Sequence, residues 1–179
     1  QQAKKKRALQ DKLDKLEILT LAFSPKGIME DMLAGALSRL LTEANQLMNQ
    51  ISGGRYTLDM FAEPCPESNR SNGFHIYLGD QTKNTKNNIN MASSSEQFRV
   101  GIVLQAVLSE LAGLRFMLID GVDILDQPNR GFFFYFLDSM APRFDQILVF
   151  CTIGQHYPQN PGLENMDFWV IENGDAKKL

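Results

Sequence analysis

Two short apolar runs flank a helical, aromatic-rich segment in the second half of the chain. The first run, LRFMLID, ends at Asp120, and the second, QILVFCT, begins at Gln146. Runs of this length are typical of strands buried on both faces of a parallel sheet. The segment between them, RGFFFYFLDSM, is opened by Pro128 and Asn129 and predicts the helix of a crossover connection. This order restricts the fold more than any other feature, because it predicts an α/β domain with helices covering a parallel sheet.

Two helical periods precede this unit. In residues 1–22, Leu9, Leu13 and Leu16 are spaced as on a coiled-coil seam, and an amphipathic helix packed on its own domain is the alternative. A second period runs from Ile28 to Ile51, where a glycine pair ends it. The first half of the chain is therefore predicted to begin with two helices.

Alternating segments follow the second helix. RYTLDMF and FHIYL predict a pair of strands. The next stretch, GDQTKNTKNNIN, is nearly without apolar residues and predicts an exposed, mobile loop. Near the end of the chain, FWVIENG predicts an edge strand.

Composition sets the broad class of the protein. The 179 residues are 44% hydrophobic and carry a net charge of -3, which suffices for one core and excludes a basic coat for nucleic acid. Cys65 and Cys151 are too few for a disulfide framework, and no apolar run reaches the roughly 18 residues of a membrane span. We therefore expect free thiols, no membrane partner and a soluble protein of the cytoplasm.

A serine cluster and an acid-tipped strand carry the chemical signal. Ser93, Ser94 and Ser95 precede Glu96 at the start of a long helical period, where serines cap a helix or, with its open N–H groups, bind a phosphate. Asp120 ends the strand that follows, where a carboxylate can hold magnesium beside nucleotide phosphates. Each feature alone is ordinary, a cap and a surface acid. Their order, one helix apart, favours a nucleotide site.

These residues resemble the ABC-type ATPases, and among them the coiled-coil SMC and SbcC-like ATPases of DNA repair and recombination. Ser93 to Glu96 are similar to the signature motif S-G-G-[EQ], with serine in place of both glycines. FMLID, ending at Asp120, is similar to Walker B, and ILD, ending with Leu125 and Asp126, is similar to the D-loop. The order of a coiled-coil end, AFSPKGI, a helix, a hairpin and the signature also matches the C-terminal lobe of that family.

The resemblance implies a P-loop NTPase fold. Residues 1–22 would be the end of a coiled coil, and residues 23–179 the C-terminal lobe of an ABC-type head, with a mainly parallel sheet flanked by helices. ATP and magnesium are the implied cofactors, with Asp120 as the magnesium ligand. The signature serines of one head would contact the terminal phosphate held by a second copy, and Asp126 would couple the two sites. The implied partners are the N-terminal lobe of the same protein, a second head and DNA, and a nuclease subunit is left open.

One motif of that family does not occur in the chain. There is no G-x-x-x-x-G-K-[ST] segment, the P-loop that cradles phosphates. In the family this loop lies in an N-terminal lobe beyond a long coiled coil, and a chain that begins at Gln1 fits a C-terminal half. We therefore expect the chain alone to bind ATP weakly or not at all.

Two positions depart from the family pattern. Gly121 stands where a glutamate normally positions or deprotonates the attacking water, and losing a general base costs about 10²- to 10⁴-fold in rate. Asp123, the next carboxylate, is the candidate substitute, although it is displaced along the loop. Ile153 stands where a switch histidine is usual, and His156 and His75 are interpreted as ordinary loop and strand residues.

Two functions follow as hypotheses. The first is the C-terminal half of an ATP-binding, DNA-handling ATPase with slow or degenerate hydrolysis, in which ATP mainly joins two heads. The second is a non-catalytic coiled-coil scaffold head with a decayed nucleotide site, favoured by the lost glutamate and signature glycines. Lys4, Lys5, Lys6 and Arg7 are candidates for contacts with DNA phosphates, with a solvated helix face as the alternative.

Overall fold

The computed structural model of the chain describes residues 2–24, 27–63, 73–152 and 163–178 as a mixed α/β structure. Its α-helices are α1 (Gln2–Ala22), α2 (Ile28–Ser52), α3 (Ser94–Leu111) and α4 (Gln127–Met140). Its strands are β1 (Tyr56–Glu63), β2 (Gly73–Asp80), β3 (Thr85–Asn88), β4 (Phe116–Ile119), β5 (Gln146–Val149), β6 (Trp169–Glu172) and β7 (Asp175–Lys178). None of the helices in these ranges has the length and apolarity that a membrane crossing requires.

The chain divides into two compact units, residues 1–40 and 41–179, whose boundary falls inside α2. In the first unit, α1 confirms the predicted helix and ends at Ala22. The leucines of its predicted seam are all exposed: Leu9 63%, Leu13 49% and Leu16 59%. This row is therefore not buried within the described part of the chain, and a coiled-coil partner for it remains a prediction.

The second unit begins with the C-terminal part of α2. This part of the helix turns an apolar face into the core, made of Ala44, Leu47, Met48 and Ile51. Gly53 and Gly54 end the helix, as predicted, with φ of +60° and +81°, a left-handed conformation that glycine adopts without strain. The Asn45 side chain then exchanges two hydrogen bonds with the backbone of Leu58, at 2.9 and 2.7 Å, and so joins α2 to β1.

β1 and β2 form the predicted antiparallel pair, with Tyr56 opposite Asp80. The prediction of a mobile loop after β2 is wrong, because Thr85–Asn88 forms a third strand on β2. A turn with Asn84 at φ +51° connects the two strands. Hydrophobic alternation could not reveal β3, since it lies at the edge of the sheet and consists of polar, largely exposed residues.

β4 and β5 pair in parallel on either side of α4, which confirms the predicted crossover unit. The prediction that β4 is buried on both faces is wrong, however. Met117 and Ile119 are each 1% exposed, whereas Phe116 and Leu118 on the opposite face of β4 are 47% and 49% exposed. The described residues thus cover one face of this pair. α3 packs against β4, and α4 is joined to α3 through the rings of Phe133 and Phe98, 5.7 Å apart.

The remaining strands correct the predicted sheet. β1–β2–β3 and β6–β7 are antiparallel, so the sheets of the described residues are not mainly parallel. FWVIENG does form a strand, but it pairs with β7 in a hairpin of its own. Asn173 and Gly174 form the two-residue turn, with φ of +53° and +89°. An Asn-Gly pair is a strong hairpin signal, and it was available in the sequence.

Candidate functional site

The serine cluster lies at the start of α3, which begins at Ser94 with Ser93 as its N-cap. Both the backbone N–H and the hydroxyl of Ser93 donate to Oε2 of Glu96, at 2.8 and 2.9 Å. The hydroxyl of Ser95 lies 3.4 Å from that of Ser93. Ser93 and Ser94 are exposed, and Ser95 is half-buried. The structure therefore confirms the predicted helix start and brings all four signature-like residues together at one helix N-terminus.

Glu96 also joins this end of α3 to β1. Its other oxygen, Oε1, accepts a hydrogen bond of 3.0 Å from the hydroxyl of Tyr56. Tyr56 is buried, and the guanidinium carbons of Arg55 and Arg99 lie 4.8 and 5.9 Å from its ring centroid. Burial raises the pKa of Tyr56, and the hydrogen bond to Glu96 raises it further. For Glu96, burial acts to raise the pKa, but the hydrogen bonds from Ser93 and Tyr56 outweigh it, so the pKa is lowered.

The turn after β2 supports Arg55 and places a cation near the serines. Asp80, 7% exposed, accepts hydrogen bonds from Arg55 at 2.8 Å and from the Thr82 hydroxyl at 2.6 Å. Arg55, then Thr82, hold the pKa of Asp80 far below its usual range. Lys83 follows in the same turn, and its positive charge contributes to the lowered pKa of Glu96. Asp80, Thr82 and Lys83 were missed in the sequence because they belong to the segment predicted as a polar loop, and Arg55 was missed because nothing local links it to that segment.

Asp120 lies directly after β4, as predicted, and is exposed. Its Oδ1 accepts the N–H of Gly121 at 2.8 Å. Gly121 has φ +85° and ψ +25°. Apart from the two chain neighbours, no atom of the described residues lies within 4 Å of where a Cβ would stand on Gly121, so this position is restricted by its backbone conformation and not by space. Gly121, where the resemblance implies a glutamate, thus sits in a conformation that favours glycine.

Asp123 lies in a short 3-10 helix, Val122–Ile124, beyond the tip of β4. Its Oδ2 accepts the backbone N–H of Thr152 at 2.9 Å, just past the end of β5. The carboxylate therefore lies at the C-terminal edge of the parallel pair, where the sequence hypothesis needs it. Burial raises the pKa of the neighbouring Cys151 thiol, and the charge of Asp123 raises it further.

The D-loop-like residues have structural contacts of their own. Leu125 is buried, at 1% exposure. Asp126 is exposed and is the N-cap of α4, where its Oδ1 accepts the N–H of Asn129 at 3.1 Å. Arg130, another residue that sequence reasoning missed, donates to the carbonyls of Leu125 at 2.7 Å and Asp123 at 3.2 Å. This arginine holds the segment between the tip of β4 and the start of α4.

The two halves of the predicted site lie apart from each other along α3. Gln105 donates to the carbonyl of Leu118, at 3.1 Å, and so marks where the end of β4 meets the helix. Gln105 comes ten positions after Ser95, a distance of about 15 Å along a helix axis. The serines and Asp120 therefore do not form one pocket within the described residues.

Few metal ligands accompany Asp120. No three His, Cys, Asp or Glu side chains of the described ranges are grouped so as to hold a metal ion. The magnesium site expected at Asp120 would need fewer protein ligands, since magnesium is commonly held by one or two carboxylates together with phosphate oxygens and water. Asp120 is suited to such a shared site.

The remaining residues that the sequence analysis singled out lie on α1, on β2 or outside the described ranges. Lys5, Lys6 and Arg7 are exposed on α1, and the side chain of Lys4 is not described. His75 is half-buried on β2, where it was predicted. Outside the described residues lie Cys65, Ile153 and His156.

The sequence matches no protein-family model, and comparison with curated proteins gives no match. Solved structures do match. A chain from a study of ATP-driven dimerization and DNA stimulated activation of SMC ATPases is 13% identical, with a TM-score of 0.58 over 83% of this chain and 87% of that chain. The SMC head of Pyrococcus furiosus, with an extended coiled coil and bound to the C-terminal domain of ScpA, is 14% identical, with a TM-score of 0.56 over 99% and 44%. The SMC head of Pyrococcus yayanosii is 17% identical, with a TM-score of 0.55 over 83% and 28%.

The chain has the fold of an SMC head domain. This confirms the SMC-like resemblance at the level of fold, since identities of 13% to 17% carry no more than that. The chain spans 44% and 28% of the two Pyrococcus structures, so it corresponds to part of such a head.

Glu96→Gln tests the carboxylate that joins α3 to β1 in this SMC-like fold. We expect its free energy of unfolding at pH 7 to fall by about 1–2 kcal/mol, because an amide replaces a carboxylate that accepts three hydrogen bonds. The folded-state pKa is lowered, so this stabilisation is complete above the unfolded-state pKa of about 4.3 and is lost as the pH falls through the folded-state value. The difference in free energy of unfolding between variant and wild type should therefore become smaller as the pH falls from 5 to 3.

Urea unfolding at a series of pH values measures this gap. Glu164→Gln removes one charge from an exposed position and is the matched control. An equal gap at pH 7 and pH 3 would contradict the assignment of an ionised Glu96.

Proposed function

We propose that the chain is the C-terminal half of an ATP-binding, DNA-handling SMC or SbcC-like ATPase, which joins two heads through ATP and hydrolyses it slowly. The supporting observation is the exposed serine end of α3 in a chain with the fold of an SMC head. The first N–H groups of a helix have no acceptor within it and carry a partial positive charge, which suits a phosphate. On this proposal the serines contact the terminal phosphate held by a second copy.

Asp120 is the magnesium ligand in this proposal. It is exposed at the C-terminal end of a parallel strand, and its neighbour Gly121 leaves open space beside it. Magnesium-ATP, when bound, would supply the cation that Asp120 attracts and the phosphate charge that the N-terminus of α3 attracts. Asp120 would share the ion with a P-loop in an N-terminal lobe of the same protein. Because Ser95 lies about 15 Å along the axis of α3 from Gln105, where β4 meets the helix, the serines would serve the nucleotide of the partner copy.

Slow hydrolysis is proposed from the residues around Gly121. Asp123 is the nearest carboxylate to follow, but its Oδ2 already accepts the N–H of Thr152. Because this oxygen is already engaged, the carboxylate is less available to take a proton from the attacking water, although it can still orient a water molecule. Asp126, fixed as the N-cap of α4, would transmit contact with the second head through that helix.

A non-catalytic scaffold head is the second candidate. The hydroxyl of Ser93 donates to Glu96, and Asp126 accepts from Asn129, so one predicted phosphate contact and the predicted coupling residue are already hydrogen-bonded within the chain. These internal bonds favour a head that joins coiled coils without nucleotide. The two candidates differ in whether magnesium-ATP drives dimerisation.

Dimerisation of the full-length protein, including its proposed P-loop lobe, separates the candidates. We expect magnesium-ATP to dimerise the wild type. Asp120→Asn should weaken magnesium-ATP binding at least tenfold, about 1.4 kcal/mol, because it removes the charge that holds the ion. Ser93→Ala should leave nucleotide binding to one head unchanged but raise the ATP concentration for half-maximal dimerisation about tenfold.

Calorimetry of nucleotide binding and light scattering of the dimer supply these readouts. A wild-type protein that neither binds magnesium-ATP nor dimerises with it would leave the scaffold as the function.

Gly121→Glu tests the lost general base in the same protein. We expect turnover above that of Gly121→Ala, the matched control that imposes the same backbone restriction without a carboxylate. Both variants should lose about 1 kcal/mol of stability, since residues with a Cβ are strained at φ +85°. ATP hydrolysis per head is the measurement. Equal turnover in the two variants would contradict the role assigned to this position.

DNA handling rests on the fold likeness and on an exposed basic run. The similar SMC ATPase is described with DNA stimulated activation. We expect replacement of Lys5, Lys6 and Arg7 by glutamine to weaken duplex binding and to reduce the slope of log affinity against log salt by up to about 3. Replacement of Lys177 and Lys178, on β7, is the control. An unchanged slope would count against this surface.

Further partners and location complete the proposal. Two of the similar SMC heads are bound to domains of ScpA, so a ScpA-like subunit joins the nuclease subunit as a candidate partner. The cytoplasm is the proposed location. Purification of the tagged protein from its own cells would identify the subunit, and recovery of neither would contradict both assignments.

A further inference from the structure

We propose that Tyr56 is a positioning residue for the serine end of α3, acting through Glu96 on the hydroxyl of Ser93. The contact between two heads would then depend on one phenol hydroxyl in β1, forty positions away from Glu96 in the sequence. The hydrogen bonds exist in this chain whatever its function, whereas their consequence for dimerisation rests on the proposed function.

The Glu96 carboxylate divides its two oxygens between two elements. Oε2 accepts both the N–H and the hydroxyl of Ser93, and Oε1 accepts the hydroxyl of Tyr56. A carboxylate is planar, so a donor fixed on one oxygen also fixes the direction of the other. Tyr56 therefore sets the plane in which Ser93 is held.

Tyr56 is itself held firmly enough to act as a reference point. Its ring is buried at 5% exposure and lies within 4.8 and 5.9 Å of the guanidinium groups of Arg55 and Arg99. Arg55 is in turn tied to Asp80, on the strand paired with β1. On the sheet side, the position of the ring is thus set by Arg55 and Asp80.

The hydroxyl of Ser93 must turn away from Glu96 before it can donate to a phosphate. Glu96 would then lose one of its three donors while partly buried, and an unsatisfied buried carboxylate is costly. Tyr56 and the N–H of Ser93 remain as donors and keep that cost small. Without the Tyr56 hydroxyl, the plane of the Glu96 carboxylate would no longer be fixed, so Ser93 would be held less precisely and would be less available to a partner.

Tyr56→Phe removes the hydroxyl and keeps the ring. In the full-length protein we expect the ATP concentration for half-maximal dimerisation to rise about tenfold, a change of about 1.4 kcal/mol. Magnesium-ATP binding to a single head should not change, because Asp120 follows the strand β4, which meets α3 at Gln105, about 15 Å along the helix axis from Ser95. Tyr135→Phe, at an exposed tyrosine on α4, is the matched control and should behave as wild type.

A double-mutant cycle distinguishes positioning from a general structural effect. If Tyr56 acts through Ser93, Tyr56→Phe combined with Ser93→Ala should be no worse than Ser93→Ala alone. Hydrogen exchange supplies a second readout: the Ser93 amide, which donates to Glu96, should exchange several-fold faster in Tyr56→Phe. The inference would be overturned if the losses of dimerisation from the two substitutions multiply in the double variant. An unchanged exchange rate of the Ser93 amide would also overturn it.

The outcomes separate the inference from the proposed function. Normal dimerisation of Tyr56→Phe beside a defective Ser93→Ala would remove the positioning role and leave the ATP-joined dimer intact. Failure of the wild type to dimerise with magnesium-ATP would remove both.

Discussion

The Glu96 carboxylate joins the start of α3 to the antiparallel sheet. Every helix starts with N–H groups that lack acceptors, and Glu96 satisfies the first turn of α3 by folding back onto Ser93. Its other oxygen accepts a hydrogen bond from the hydroxyl of Tyr56, which connects the antiparallel sheet to the helix. The chain then reverses after α3 and returns as β4, which packs against the helix. The position of Asp120, at the end of β4, therefore depends on how α3 is held.

The length of α3 separates two chemically different surfaces. One is a helix N-terminus with hydroxyls, which suits an anion, and the other is an exposed carboxylate at a strand end, which suits a cation. A single rigid helix of eighteen residues cannot bring its own N-terminus to the middle of its length. On the proposed function, surfaces arranged in this way would complete a nucleotide site only between two copies of the chain.

Local signals predicted most of the elements. The α2 period and its glycine stop, the serine start of α3, and the β4–α4–β5 order are all written in neighbouring residues and were confirmed. β3 was not predicted, because an exposed edge strand needs no apolar face. The β6–β7 hairpin was not predicted either, although the Asn-Gly pair of its turn indicates one. The exposed face of β4 was misjudged, since an apolar run shows that burial is favoured but not which layer provides it.

The sequence by itself determined the chemical types and their order: serines with an acid at a helix start, an acid at a strand tip, and glycine where a general base is expected. Tertiary structure alone decided that Tyr56 meets Glu96, that Asp123 meets Thr152, and that Gly121 has a left-handed backbone. The reason is physical. Helix periods and caps arise between residues three or four apart, whereas these contacts join distant elements whose approach is set by packing, which no local pattern records.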